Sequence, residues 1–333
     1  MTTVSRKYYS HGKLLLTGEY LVMFGAKSLA VPVNFGQDMV VEIVSPSKLT
    51  WKAYIQDELW FAAEIDLLGL SFLSSSDEKR TSSLLEVLKA AKKLNPFFLS
   101  GDIGYNVTTQ LNYPQQWGLG SSSTFIANVA QWAGVDAMQL NSLVSEGSGY
   151  DIACTQANGP ILYQLKNKTP YWHEVNFVPS FRDHLYFLYL GKKQDTFSSI
   201  INFKKDYRIN EQEIAFVSDV TIKLLNACTL KESIELLDFH ESFISQLLKV
   251  EPVKRSLFKD FNGTIKSLGA WGGDFALVAA ELDFEEVKQY FCNKGFGTIF
   301  RFDEMILNTT AEPIKQEGRV ITGLSSHTRR KAL

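Results

Sequence analysis

Cysteine is scarce in this chain: three in 333 residues, Cys154, Cys228 and Cys292, far apart and never paired as CxxC. That spacing argues against a disulfide framework or a thiolate zinc site and fits reduced thiols in a cytoplasmic protein. No apolar run approaches the ~20 residues that span a bilayer, so no membrane role is expected. The opening MTTVSRKYYSHGK lacks the apolar core of a secretory signal. A charge excess is also missing: 34 Lys and Arg against 36 Asp and Glu leave a net charge of −2. A nucleic-acid partner is therefore not expected, because phosphate-backbone binding needs a basic stripe. The basic tail HTRRKAL, residues 327–333, reads as a short solvated run.

What is present points to a mixed α and β protein with a sizeable core. Hydrophobic residues make up 45% and charged residues 21%, and the length favours two domains over one. Residues 4–65 read mostly as strands, with KLLLTGEYLVMF, QDMVVEIVS, LTWKAYI and ELWFAAEI broken by turn residues. TSSLLEVLKAAKKL, residues 81–94, has helical spacing with Thr81 or Ser82 as its cap. A strand at 102–111 follows, then a helix opening in SSSTFIANVAQWAG and closing near Gly134. PILYQL and HLYFLYL read as strands. From about residue 210 two strongly periodic helices appear. In the second, Ile234, Leu237, His240, Ile244 and Leu248 form one stripe with His240 at its edge. Strand, helix, strand then follow to about residue 302.

Three glycine-rich stretches and one isolated acid carry the chemistry. HGKLLLTGEY, residues 11–20, puts Lys13 at the start of a strand; alone it reads as a surface lysine beside a turn. PQQWGLGSSSTF, residues 114–125, is more specific. Gly118 and Gly120 free the backbone, serines follow, and a helix begins, so unpaired N–H groups and a positive dipole end meet at one point. That arrangement suits phosphate, and it is neither a Walker A loop nor a GxGxxG fingerprint. KSLGAWGGD, residues 266–274, feeds a hydrophobic strand and alone reads as a hairpin or bulge. In GSGYDIACTQANG, residues 147–159, Asp151 stands without a neighbouring opposite charge, as a helix cap, a turn residue or a catalytic base.

Taken in order, the three stretches resemble the three motifs of the GHMP kinases, PGK…GE, PxxxGLGSSA and KxxGAGGGG, and the likeness runs over residues 11–280. GYDIA, residues 149–153, is similar to the signature of one subgroup. The resemblance implies an α+β fold of two domains. An N-terminal domain like the second domain of ribosomal protein S5 (about 1–180) binds ATP, and a ferredoxin-like domain (about 181–333) closes the cleft. It implies transfer of the ATP γ-phosphoryl to a small metabolite, with little covalent work by the protein. Lys13 and Asp151, the latter expected on a strand, match the catalytic pair. Gly118, Leu119, Gly120, Ser121, Ser122 and Ser123 match the phosphate loop, with Ser122 also matching the Mg²⁺ serine. Glu19, Tyr20, Gly269, Ala270, Gly272 and Gly273 match the acceptor side.

GEY, GSGYD and GGD look more like phosphomevalonate kinases, whereas MFGAKSLAVPV looks more like mevalonate kinases. Two other readings differ in class: a nucleotide-binding regulator that keeps the fold without turnover, and an ATP-dependent decarboxylase. His11 replaces the motif proline and Trp271 a motif glycine. Either side chain is then structural or a substrate contact. Glu146 is the nearest acid to the family's metal glutamate and reads as a solvated carboxylate. The expected oligomeric state is monomer or homodimer.

Overall fold

A computed structural model describes residues 4–45, 48–191, 209–269, 271 and 274–307. Strands β1 (Ser5–Leu15), β2 (Ser28–Val44), β3 (Lys48–Ile55), β4 (Glu58–Asp66), β5 (Ser71–Ser75), β6 (Gly104–Leu111), β7 (Ile161–Lys166) and β8 (Thr169–Glu174) build one sheet. Its order is β5-β4-β3-β6-β2-β7-β8, with β1 also paired to β2. The 17-residue β2 is the spine: it pairs antiparallel with β1, β6 and β7 in turn. The β1–β2 register shifts between His11 and Lys13, a bulge that re-aims the side chains around it.

Helices α1 (Glu78–Leu94), α2 (Ser121–Ala133), α3 (Ala137–Val144) and α4 (Tyr150–Gln156) contribute to the core on this sheet. Leu84, Leu88 and Ala91 of α1 and Ile126, Val129 and Ala133 of α2 pack with Val41, Trp51 and Val107 of the strands. The α1 cap is Asp77, which accepts from Arg80 N–H at 3.0 Å, so the helix starts a turn before the expected Thr81 or Ser82. The periodic apolar stripe begins only at Thr81, which is why the sequence pattern misses that polar first turn.

A second sheet has the order β10 (Thr264–Ser267), β11 (Phe275–Ala279), β9 (Leu185–Tyr189), β12 (Ile299–Arg301). Alternation along β9 separates two layers, as the strand period requires. Tyr186 and Leu188 face Val287 and Phe291 of α8 (Phe284–Asn293) and Val253 of α7 (Val253–Leu257). Leu185 and Phe187 face inward, toward Leu14, Val31 and Val33 of the first sheet and Leu224 and Leu237 of α5 (Glu211–Leu225) and α6 (Leu230–Leu248). The two sheets thus share one apolar core. The short α9 (Phe302–Met305) adds to it, and Val33 bridges to Ile306 behind it.

A buried polar cluster crosses this junction. Glu19, in the turn after β1, receives the Lys266 ammonium of β10, and both side chains are fully buried. His240 of α6 lies beside them and accepts the Gly18 N–H at Nε2, 3.0 Å away. Burial, then the Lys266 charge, pushes the His240 pKa well below its usual value. The ring is therefore neutral, and its 3.5 Å approach to Glu19 is not an ion pair. The expected edge position of His240 is corrected: it is fully buried, because the α6 stripe faces the junction rather than an apolar domain core.

Among the described residues no helix is long and apolar enough to cross a membrane. Breaking the buried pair from one side leaves an uncompensated charge. Lys266→Met should therefore lower unfolding free energy by about 3–5 kcal/mol in urea titrations, and adding Glu19→Gln should restore at least half of the loss.

Candidate active site

One cleft between the two sheets collects residues from every stretch singled out above. It is lined by Lys13, Glu19 and Tyr20 from the first motif and by Gly118, Gly120, Ser121, Ser122 and Ser123 from the second. Asp151 comes from the isolated-acid stretch, and Gly269 from the third motif. The β1 bulge carries Lys13 against the second motif: its backbone N–H donates to Leu119 O (2.9 Å) and its Nζ to Gly118 O (3.1 Å). Leu119 contributes that carbonyl, while its side chain is fully buried in the junction core. Ala270, Gly272 and Gly273 lie outside the described residues.

The ammonium of Lys13 sits 5.7 Å from the centre of the Tyr150 ring. Burial alone lowers its pKa, but Tyr150, Asp151 and Asp274 together outweigh that cost and hold it above the usual lysine value. The group is a fixed cation at neutral pH. Tyr150 is pushed up to about 12, mainly by burial and against the pull of Lys13. It therefore serves Lys13 as a neutral hydrogen-bond partner. Its ring packs edge-on against Tyr163, 6.5 Å away, and the Tyr163 hydroxyl donates to Ser148 O.

The phosphate-type loop is held open by two left-handed glycines, Gly118 (φ 69°) and Gly120 (φ 90°). A Cβ on Gly120 would lie 2.7 Å from Ser123 Oγ and 3.1 Å from Lys13 Cε. Ser123 Oγ donates to Gly120 O (2.8 Å) and Thr124 Oγ1 to Ser121 O (3.0 Å), so both are turned inward. No side chain caps α2, which leaves its first N–H groups facing the cleft at the positive end of a 13-residue helix. Ser121, Ser122 and Gln115 also line a second, adjoining cavity walled by Trp51, Trp60, Phe61 and Phe125. Arg80 stacks 4.4 Å over the Trp60 ring beside it.

Asp151 lies in the first turn of α4, not on a strand as the sequence suggested. The run of Ile152, Ala153 and Cys154 reads as strand because it is apolar, but all three are fully buried beneath the sheet on consecutive helix positions. The Asp151 carboxylate accepts from Ile152 N–H at 3.1 Å, and its charge acts on Lys13. Gln115, Ser148 and Asp274 also line the cleft and were not singled out from sequence; Tyr150, the distinctive residue of GYDIA, lines it too, and had no role assigned from sequence. For Asp274 the signal was there, in the GGD that ends the third motif.

The two departures are structural in this fold. His11 Nδ1 bonds to Val33 O at 3.0 Å. Trp271 is 6% exposed and packs with Leu21, Val217 and Ile244 in the junction. Glu146 is exposed and does not line the cleft.

No protein-family model matches the sequence, and no curated protein matches it. Solved structures do. The chain is similar to Streptococcus pneumoniae phosphomevalonate kinase, solved with phosphomevalonate and AMPPNP, at 17% identity and TM-score 0.67, covering 89% of this chain and 99% of that one. It is similar to Methanococcus jannaschii mevalonate kinase at 14% identity and TM-score 0.69, covering 92% and 99%. It is similar to Lactococcus lactis galactokinase, complexed with galactose, at 13% identity and TM-score 0.64, covering 91% and 93%. All three are GHMP kinases, and this chain has their fold.

The buried cluster continues past Glu19 to the far side of β10. Glu241 of α6 accepts from Ser267 N–H (3.1 Å) and Ser267 Oγ (2.9 Å). Burial pushes its carboxyl up to about 8, against the pull of Lys266. Between the ordinary carboxylate range and about pH 8 the folded chain holds a proton that the unfolded chain has lost. Stability is therefore expected to fall as pH rises through that window. Urea midpoints at pH 5.5 and 8.0 should show the drop in the parent chain and a flatter profile in Glu241→Gln.

Proposed function

We propose that this chain is an ATP-dependent small-molecule kinase that phosphorylates a hydroxyl or phosphate oxygen of a mevalonate-type metabolite, closest in kind to a phosphomevalonate kinase. The observation that carries the reading is the convergence of Lys13, Asp151 and the uncapped, serine-led α2 on one cleft. The fold supports the class, since the similar structures are ATP-using kinases of mevalonate, phosphomevalonate and galactose.

The aromatic cavity suits a nucleoside, because a flat base stacks on Trp or Phe and Gln115 stands where the two cavities join. The triphosphate would then cross the α2 N-terminus, where N–H groups and the helix dipole favour negative charge. The acceptor would lie between Lys13 and Asp151. A carboxylate within reach of a hydroxyl takes its proton as oxygen attacks phosphorus, and the fixed ammonium offsets charge on the transferring group.

Mg²⁺ fits the donor chemistry. Ser122 offers a hard oxygen at the junction of the cavities. Among the described residues no group of three or more His, Cys, Asp or Glu could hold a metal. That set suits a cation held mainly by phosphate oxygens and water. When bound, it would neutralise charge on the phosphates.

A Trp271 ring narrowing the acceptor pocket would favour a non-catalytic regulator, but the ring packs in the junction core instead. The test is an ADP-release screen over mevalonate, phosphomevalonate, homoserine and sugars. Acceptor-stimulated release is expected, and its absence with all of them would defeat the reading. With a hydroxyl acceptor, Asp151→Asn should lower kcat by about 10²–10⁴-fold while nucleotide affinity stays within about threefold. With a phosphate acceptor, whose oxygen is already ionised, the loss in kcat should be far smaller.

A further inference from the structure

A cavity of about 460 Å³ lies outside the cleft and shares no lining residue with it. Its volume is within the roughly 300–1,000 Å³ of small-ligand pockets. Helix α6 contributes Asp238, Glu241 and Ser242. The turn into α7 contributes Glu251, and α7 with the residues after it contributes Lys254, Arg255 and Lys259. Ile265 of β10, 1% exposed, also lines it.

Half of the charged groups here are already engaged. The Lys254 ammonium donates to Gly263 O, and Thr264 Oγ1 donates to the Asp238 carboxylate. Glu241, 4% exposed, accepts from the N–H and the hydroxyl of Ser267. Arg255, Lys259 and Glu251 are exposed, and among the described residues none of the three has a hydrogen-bond or ion-pair partner. Two unpaired cations face one unpaired acid, so the cavity is short of negative charge. Glu241 does not supply it, because burial keeps its carboxyl protonated up to about pH 8. Lys266 of β10 and Glu19 of the turn after β1 act on Glu241 from behind, and the other charged groups named here share its cavity. An arginine fork and an ammonium that line one space suit the oxygens of a dianion.

We propose that this cavity is a second ligand site, which takes the phosphate group of a small metabolite, or free phosphate, between Arg255 and Lys259. It is independent of the kinase reading, since the cleft contributes no residue to it. Loss of the Glu241 proton puts a like charge on the floor of the site and weakens the hold.

The test reads Lys259 itself. Acetic-anhydride labelling of the full chain, followed by peptide mass spectrometry, reports the reactivity of each lysine. The first probe is sulfate, whose charge is constant between pH 7.0 and 9.0, against chloride at equal ionic strength. At pH 7.0 saturating sulfate should slow the labelling of Lys259 about threefold or more and leave the exposed Lys52 of β3 unchanged. At pH 9.0 the protection should fall to less than half in the parent chain and persist in Glu241→Gln. In Arg255→Gln, where an exposed side chain has no partner to lose, Lys259 should lose its protection. Equal labelling of Lys259 in sulfate and chloride would overturn the proposal, as would full protection in Arg255→Gln. Protection unchanged at pH 9.0 would refute the part given to Glu241. Stronger protection by glycerol phosphate than by inorganic phosphate assigns the site to a metabolite's phosphate group. Equal protection assigns it to the free ion, and either result supports the site.

Discussion

The buried pair of Glu19 and Lys266 fixes how the two sheets meet, and the cleft follows from that meeting. Each side chain is fully buried, so each depends on the other for compensation of its charge. Glu19 sits six residues after Lys13, and Lys266 three before Gly269, so one contact sets the first glycine stretch against the third. His240, neutral and bonded to the Gly18 N–H, ties α6 into the same point. Apolar packing around the pair, from Leu14, Val31, Phe187 and Leu277, supplies the larger part of the burial. The polar pair supplies its register, since hydrophobic contact alone is not directional.

Within the cleft the governing quantity is the charge on Lys13. Desolvation in the cleft favours loss of the Lys13 proton, and here Tyr150, Asp151 and Asp274 prevent that. The second sheet contributes Asp274, the short α4 contributes Asp151 and Tyr150, and the loop before α2 contributes the Gly118 carbonyl. An ammonium held from several directions is already oriented before a polyanion arrives, which is the sense in which such a site is preorganised. The α2 N-terminus next to it adds open N–H groups without a side-chain cap. Two features that favour negative charge therefore share one wall of the cleft.

Much of this was legible in the sequence, and the misses have physical causes. The glycine-serine stretch, the helix behind it and its stop at Gly134 are local features, set by backbone freedom and capping, and they stand where they were read. Asp151 was placed on a strand because a short buried apolar run has the same periodicity in strand and helix. His240 was put at an edge because a helical stripe shows which face is buried but not what buries it. Tyr150 and Asp274 had no sequence signal for their partner, since both act on Lys13 from more than a hundred residues away. The pairing of Glu19 with Lys266 was invisible for the same reason, although both residues lay within quoted motifs.

The central claim is that the α2 N-terminus and the Lys13 cation together receive the phosphates of a nucleotide, and it can be measured without knowing the acceptor. Isothermal titration of a non-hydrolysable ATP analogue with Mg²⁺ into the parent chain and into Gly120→Ala addresses it. The account predicts saturable one-to-one binding by the parent and at least about a tenfold weakening, or 1.4 kcal/mol, in the variant. In that variant the added methyl intrudes between Ser123 Oγ and Lys13 Cε. No binding by a folded parent chain, or equal binding by both, would contradict it.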